Sequence, residues 1–166
     1  FGLLIAPVEA FSTVSANGRR GTRVVHYSNS QAVATVDQVM PEAVTEWRDG
    51  GRWVSTGYGS VFVRSAPGEG PRLLLLHGYP SSSFDYRLVV PHLAGRAWST
   101  LDFLGFGLSD KPRPHRYSLL EQADIVQAVV ADASKDPVVI VAHDMGTSVT
   151  TELLARDIEG RLPFEL

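Results

Sequence analysis

The stretch Pro137–Ser148 reads PVVIVAHDMGTS, and the rest of the chain is read outward from it. Val138 to Ala142 is an apolar run rich in β-branched side chains, the pattern of a strand buried on both faces of a parallel sheet. From Thr147 the spacing turns helical, through Thr151, Glu152, Leu153, Leu154 and Ala155. A strand thus becomes a helix within about four residues, with an acid at the bend. Around that acid the order is small, any, acid, any, small: Ala142, His143, Asp144, Met145, Gly146. A nucleophile on so sharp a turn sits in strained backbone, and crowding requires small residues two before and two after it. Its side chain then stands above the sheet at a helix N-terminus, where N–H groups and the helix dipole favour negative charge. Two readings of Asp144 follow: a nucleophile, or an N-cap for the helix, a role aspartate commonly fills. Ser148 lies about one turn inside the helix without the small flanks such a turn needs, and is set aside.

The chain has 166 residues, 44% hydrophobic and 20% charged, with a formal net charge of −3. That length supports one domain with a real core. The ordinary charge balance implies no nucleic-acid partner. With no cysteine, disulfides, thiol nucleophiles and cysteine-based metal sites are excluded. No apolar run reaches the length of a membrane span. The chain begins at Phe1 and stops at Leu166, soon after a helix ends, which suggests an incomplete chain. FGLLIAPVEAF reads either as the tail of a signal-peptide apolar region, with Val14 to Ala16 as a small-residue site, or as an N-terminal extension. The compartment is left open, with a cytoplasmic place favoured.

Residues 1–50 read as an irregular or partly helical extension, with one short helix between Gln31 and Trp47 and Pro41 as breaker or first-turn residue. The regular fold spans residues 51–166. Trp53–Ser55 and Ser60–Arg64, separated by Gly57, Tyr58 and Gly59, form an antiparallel hairpin. Arg72–Leu76 is the first central strand, and it empties into HGYPSSS. Tyr86–Leu93 fits a short helix cut or kinked by Pro91, and Ala97–Asp102 is the next strand. After the loop FLGFGLSDKPRP, Tyr117–Ala131 shows helical spacing, with Ser118 and Glu121 as a capping box. Strands alternating with helices imply a right-handed, mostly parallel α/β sheet, whose ligands collect at the carboxyl ends of the strands. The HGYP loop, the GFG loop and the Asp144 turn all belong to that edge.

Gly78 lets the HGYP backbone turn sharply, so the N–H of Tyr79 can point into a site at Asp144. Its natural partner is the N–H of Met145, and together they form an oxyanion hole. His77 and His143 are read as shaping the site through hydrogen bonds to loop backbone, together with Gly78, Pro80 and Gly146.

The segments LLLLHGYPSSSFDY, LDFLGFGLSDKPRPHRYSLLEQA and VAHDMGTSVTTELL resemble the epoxide hydrolase and haloalkane dehalogenase branch of the α/β-hydrolases. The middle motif looks like that of the mesoderm-specific transcript protein and its bacterial relatives. The resemblance runs from about Arg52 to Leu166 and corresponds to the N-terminal half of the hydrolase core, before the cap domain. It implies a two-step mechanism without a cofactor or metal. Asp144 attacks an electrophilic carbon of a small apolar organic substrate to give an alkyl ester, and a histidine-activated water cleaves that ester. Asp102, Gly105, Gly107 and Ser109 match a family signature and are assigned to structure.

Two departures from the branch narrow the reading. Where it carries Trp after the nucleophile and, in dehalogenases, Asn in HG-x-P, this chain has Met145 and Tyr79, which offer no side-chain N–H donor. Dehalogenation is thereby disfavoured and epoxide opening retained. The branch's general-base histidine and its acid partner lie after the elbow, and no histidine follows Asp144 here; His26, His77, His92, His115 and His143 all precede it. The expectation is an epoxide hydrolase-like enzyme represented by an inactive portion. The alternatives are a non-catalytic binding protein on the same fold, a dehalogenase and a serine-type esterase. Oligomeric state is not legible.

Overall fold

The structure, a computed structural model, describes residues 41–133 and 137–166. The extension expected over residues 1–50 therefore lies mostly outside the described residues. Its described end forms helix α1, Glu42–Asp49, with Pro41 at the N-cap, where a missing N–H costs nothing.

Five strands follow: β1 Gly51–Thr56, β2 Gly59–Ala66, β3 Glu69–Leu76, β4 Arg96–Leu101 and β5 Val138–Ala142. They form one mixed sheet in the order β1-β2-β4-β3-β5. The hairpin β1/β2 and the pair β2/β4 are antiparallel, whereas β3 runs parallel to both β4 and β5. Register decides where the loops emerge. Leu76 is paired with Leu101 on one side and Ala142 on the other. The residues that follow, His77, Asp102 and His143, therefore leave the sheet side by side along one edge.

Alternation along β3 divides the core. Leu74 and Leu76 face helices α2 (Leu119–Ala133) and α3 (Met145–Ile158), joining Ile125, Val126, Val130, Val149 and Leu153. Leu75 faces the other way, toward Phe62, Tyr86 and Trp47 of α1. The two helices are locked by Arg156, whose guanidinium reaches Asp124 at 2.7 Å, Glu152 at 2.8 Å and Gln127 at 3.1 Å. Among the described residues, no helix is long and apolar enough to cross a membrane.

Three sequence expectations change. The helix over Tyr86–Leu93 is instead two 3-10 turns, Ser83–Leu88 and Val90–Leu93. Pro91 explains the break, having no N–H to bond the carbonyl four residues back. Strand β5 is covered on one face only: Val139 and Val141 each keep 46% of their surface exposed. Among the described residues β5 ends the sheet, and the apolar run carried no signal of how much chain covers its second face. The capping box is half made. Glu121 N–H donates to Ser118 Oγ at 3.1 Å, but its carboxylate turns to His115 Nε2 at 2.8 Å.

Candidate functional site

At the end of β5 the chain turns into α3 through Asp144, at φ 50° and ψ −123°. It is the one non-glycine with positive φ among the described residues. Such backbone is costly for an L-residue, about 1–3 kcal/mol. The reason glycine stands at 146 and at 78 is visible in their contacts. A Cβ on Gly146 would stand 2.6 Å from the Leu76 carbonyl oxygen and 2.8 Å from that of His77. One on Gly78 would press on the Asp144 Cβ and the His143 ring. The elbow and the end of β3 are therefore in backbone contact, with glycine on both sides of the seam.

Asp144 does not cap α3, since its side chain makes no capping hydrogen bond. Instead Tyr79 N–H donates to Asp144 Oδ1 at 2.7 Å. Hydrogen bonding from Tyr79 N–H, then from Met145 N–H, holds the Asp144 carboxyl below its usual range, with a smaller contribution from nearby His143. Of the two main-chain donors expected to face a developing oxyanion, Tyr79 N–H makes a direct hydrogen bond to this exposed carboxylate.

His77 explains how Tyr79 is aimed. The imidazole is fully buried, edge-on to Phe106 and tilted against Phe103. Phe103 N–H donates to its Nε2 at 3.0 Å, so the ring proton is on Nδ1, which donates to the Gly78 carbonyl at 2.8 Å. Burial pushes its pKa down, which keeps this neutral tautomer. The Gly78 carbonyl is pinned inward, and the Tyr79 N–H that follows points at Asp144. The Tyr79–Pro80 bond is cis. Ser81 closes the turn, its N–H and hydroxyl both donating to the same Gly78 carbonyl. His143 is more than half exposed, with Nε2 3.9 Å from Asp85 and its ring edge-on to Tyr86.

Beneath the site, Asp102 ties the two other loops together. It is 2% exposed; Oδ1 accepts from Ser83 N–H at 2.7 Å and Oδ2 from Leu108 N–H at 2.6 Å. Gly107 has φ +47°, and a Cβ there would fall inside that carboxylate. The structural assignment of the GFG loop is consistent with this packing. Reading the sequence alone missed Gln122, whose amide clamps both main-chain groups of Leu104 at 3.0 Å. A polar residue on an otherwise apolar helix face was the available signal.

The α/β-hydrolase fold family profile matches residues 71–161. The chain is 73% identical over 124 residues to LipZ of Mycobacterium tuberculosis, a protein named as a hydrolase, covering 75% of this chain and 43% of LipZ. It is 37% identical over 126 residues to the human mesoderm-specific transcript homolog protein, covering 72% of this chain and 38% of that protein. Among solved structures it resembles a loop variant of the haloalkane dehalogenase DbeA from Bradyrhizobium elkanii, with 28% identity and a TM-score of 0.58, covering 64% of this chain and 36% of that one. The chain thus spans less than half the length of these relatives. Profile, relatives, sheet order and strand-to-helix elbow agree: this chain belongs to the α/β-hydrolase fold family, of which it represents the N-terminal part.

Proposed function

We propose that Asp144 is the nucleophile of a hydrolase acting on small apolar epoxides through an alkyl-ester intermediate. The observation that carries this reading is the Tyr79 N–H to Asp144 Oδ1 hydrogen bond, made by an aspartate held in strained backbone that caps nothing. In the first step Oδ2 attacks a ring carbon. The new C–O ester bond forms, the ring C–O bond breaks, and the ring oxygen leaves as an alkoxide that takes a proton from solvent. Oδ1 becomes the ester carbonyl oxygen. It already accepts from Tyr79 N–H, a donor that would stabilise it as an oxyanion when water attacks Cγ in the second step. Epoxides fit better than haloalkanes because Tyr79 and Met145 bring no side-chain N–H to a departing halide.

A terminal epoxide is expected to add its mass to the peptide containing VAHDMGTS, and Asp144→Ala to abolish that gain; labelling elsewhere only, or unchanged labelling of the variant, rejects the assignment. The pH profile gives an independent check. The depressed pKa of Asp144 keeps the carboxylate ionised as pH falls through the usual range. The labelling rate is therefore expected to stay flat from about pH 7 to about pH 5, and a decline with midpoint above about pH 5 contradicts it.

The 166-residue chain by itself has no histidine after Asp144. Its ester is expected to persist, giving one equivalent of product adduct and no turnover. Repeated release of diol, followed by chromatography, would mean that these residues contain a base that activates the second-step water.

A further inference from the structure

Beside the elbow lies a hollow of about 260 Å³ lined by Phe106, Tyr117, Ser118, Leu119, Gln122 and Met145. Two of its lining residues adjoin the site. Met145, which directly follows Asp144 in the chain, lines the hollow. Phe106 stands edge-on to the ring of Tyr79, whose N–H donates to Asp144, at 6.0 Å between centroids.

The polar groups around the hollow are already engaged. Both ends of the Gln122 amide are bonded to Leu104. Tyr117 donates its hydroxyl to the Pro112 carbonyl at 3.0 Å. Ser118 Oγ accepts from Glu121 N–H, leaving only its hydroxyl proton. A ligand therefore meets ring faces, a leucine side chain and a thioether. Tyr117 and Leu119 each keep 43% of their surface exposed, so this apolar lining is open to an incoming group.

We propose that this hollow is the specificity pocket of the Asp144 site, taking a phenyl-sized hydrocarbon arm of the electrophile and refusing a polar arm. The proposal rests on Asp144 being the nucleophile. A cavity of about 150 Å³ is enough to hold benzene, so this one admits a ring with a short linker. A polar arm would give up hydrogen bonds to water and find almost none in return. Sulfur and aromatic edges, by contrast, favour a flat ring.

The test uses three terminal epoxides with similar reacting carbons: 1,2-epoxy-3-phenylpropane, 1,2-epoxypropane and glycidol. Each is incubated with the polypeptide as its own reading frame encodes it, and the adduct on Asp144 is followed by mass spectrometry. The phenyl reagent is expected to react roughly tenfold faster or more than either small one. Leu119→Glu adds a charge to the lining at an exposed first-turn position that tolerates an acid, and should remove most of that preference. Equal rates for the three reagents, or a preference untouched by Leu119→Glu, overturn the pocket. If no reagent labels Asp144, the nucleophile reading fails, and the pocket is decided by binding alone. In methyl-¹³C-methionine NMR of the same polypeptide, the signal lost in Met145→Leu is that of Met145. Saturable shifts of the Met145 methyl by 3-phenylpropane-1,2-diol but not by glycerol support the pocket; no shift overturns it.

Discussion

Replacing Asp102 with alanine is expected to destabilise the protein by about 2–6 kcal/mol. The figure follows from the two main-chain donors that its buried carboxylate accepts, Ser83 N–H and Leu108 N–H. Each buried donor left without a partner costs about 1–3 kcal/mol. Against a total stability of about 5–15 kcal/mol for a domain, that is a large fraction. Asp102→Asn should fall between wild type and alanine, because one oxygen still accepts while the amide turns an N–H₂ toward an N–H. Urea unfolding measures both variants. If Asp102→Ala lies within about 0.5 kcal/mol of wild type, water has replaced the carboxylate and the two loops do not depend on it.

The second large effect concerns association. Strand β5 pairs only with β3 among the described residues. His143 N–H points to Leu76 O, and Val138 N–H points away from β3, to the Glu165 carbonyl at 2.9 Å. By alternation, the N–H groups of Ile140 and Ala142 also face outward. The strand VVIVA has no charge or proline, and Val139 and Val141 lie exposed beside this edge. Such an edge templates pairing with another chain. The purified 166-residue chain is therefore expected to elute from size-exclusion chromatography as concentration-dependent oligomers. Val139→Lys with Val141→Lys should shift it toward the monomer. A wild-type chain that stays monomeric and unfolds cooperatively would mean that another segment covers the edge.

Much of this architecture was legible because local chemistry and tertiary context agreed. Gly57 to Gly59 marks the hairpin turn, the β-branched run marks β5, and the small–acid–small spacing marks the turn at Asp144. Legibility failed where distant partners decide. Nothing near Glu121 in sequence says that its carboxylate prefers His115 to its own cap. Nothing near Arg156 in sequence marks it for burial either, yet it is 7% exposed because acids from α2 and α3 meet it. The cap reading of Asp144 was open for the same reason. Only the approach of Tyr79, 65 residues away, gives its carboxylate a different partner. The hollow beside Met145 was equally hidden, since its lining comes from one long loop and two helices that meet only in the fold.

The backbone at Asp144 also bears on what keeps such a residue in place. At φ 50° a glycine would relieve the strain, and loss of the carboxylate would leave no helix cap unmade. For folding alone, glycine at this position would exchange relief of about 1–3 kcal/mol of backbone strain for loss of the acceptor that Tyr79 N–H now has. An aspartate held here against the conformational preference of its own backbone is what the proposed reactivity of Asp144 would require, at a cost to the fold.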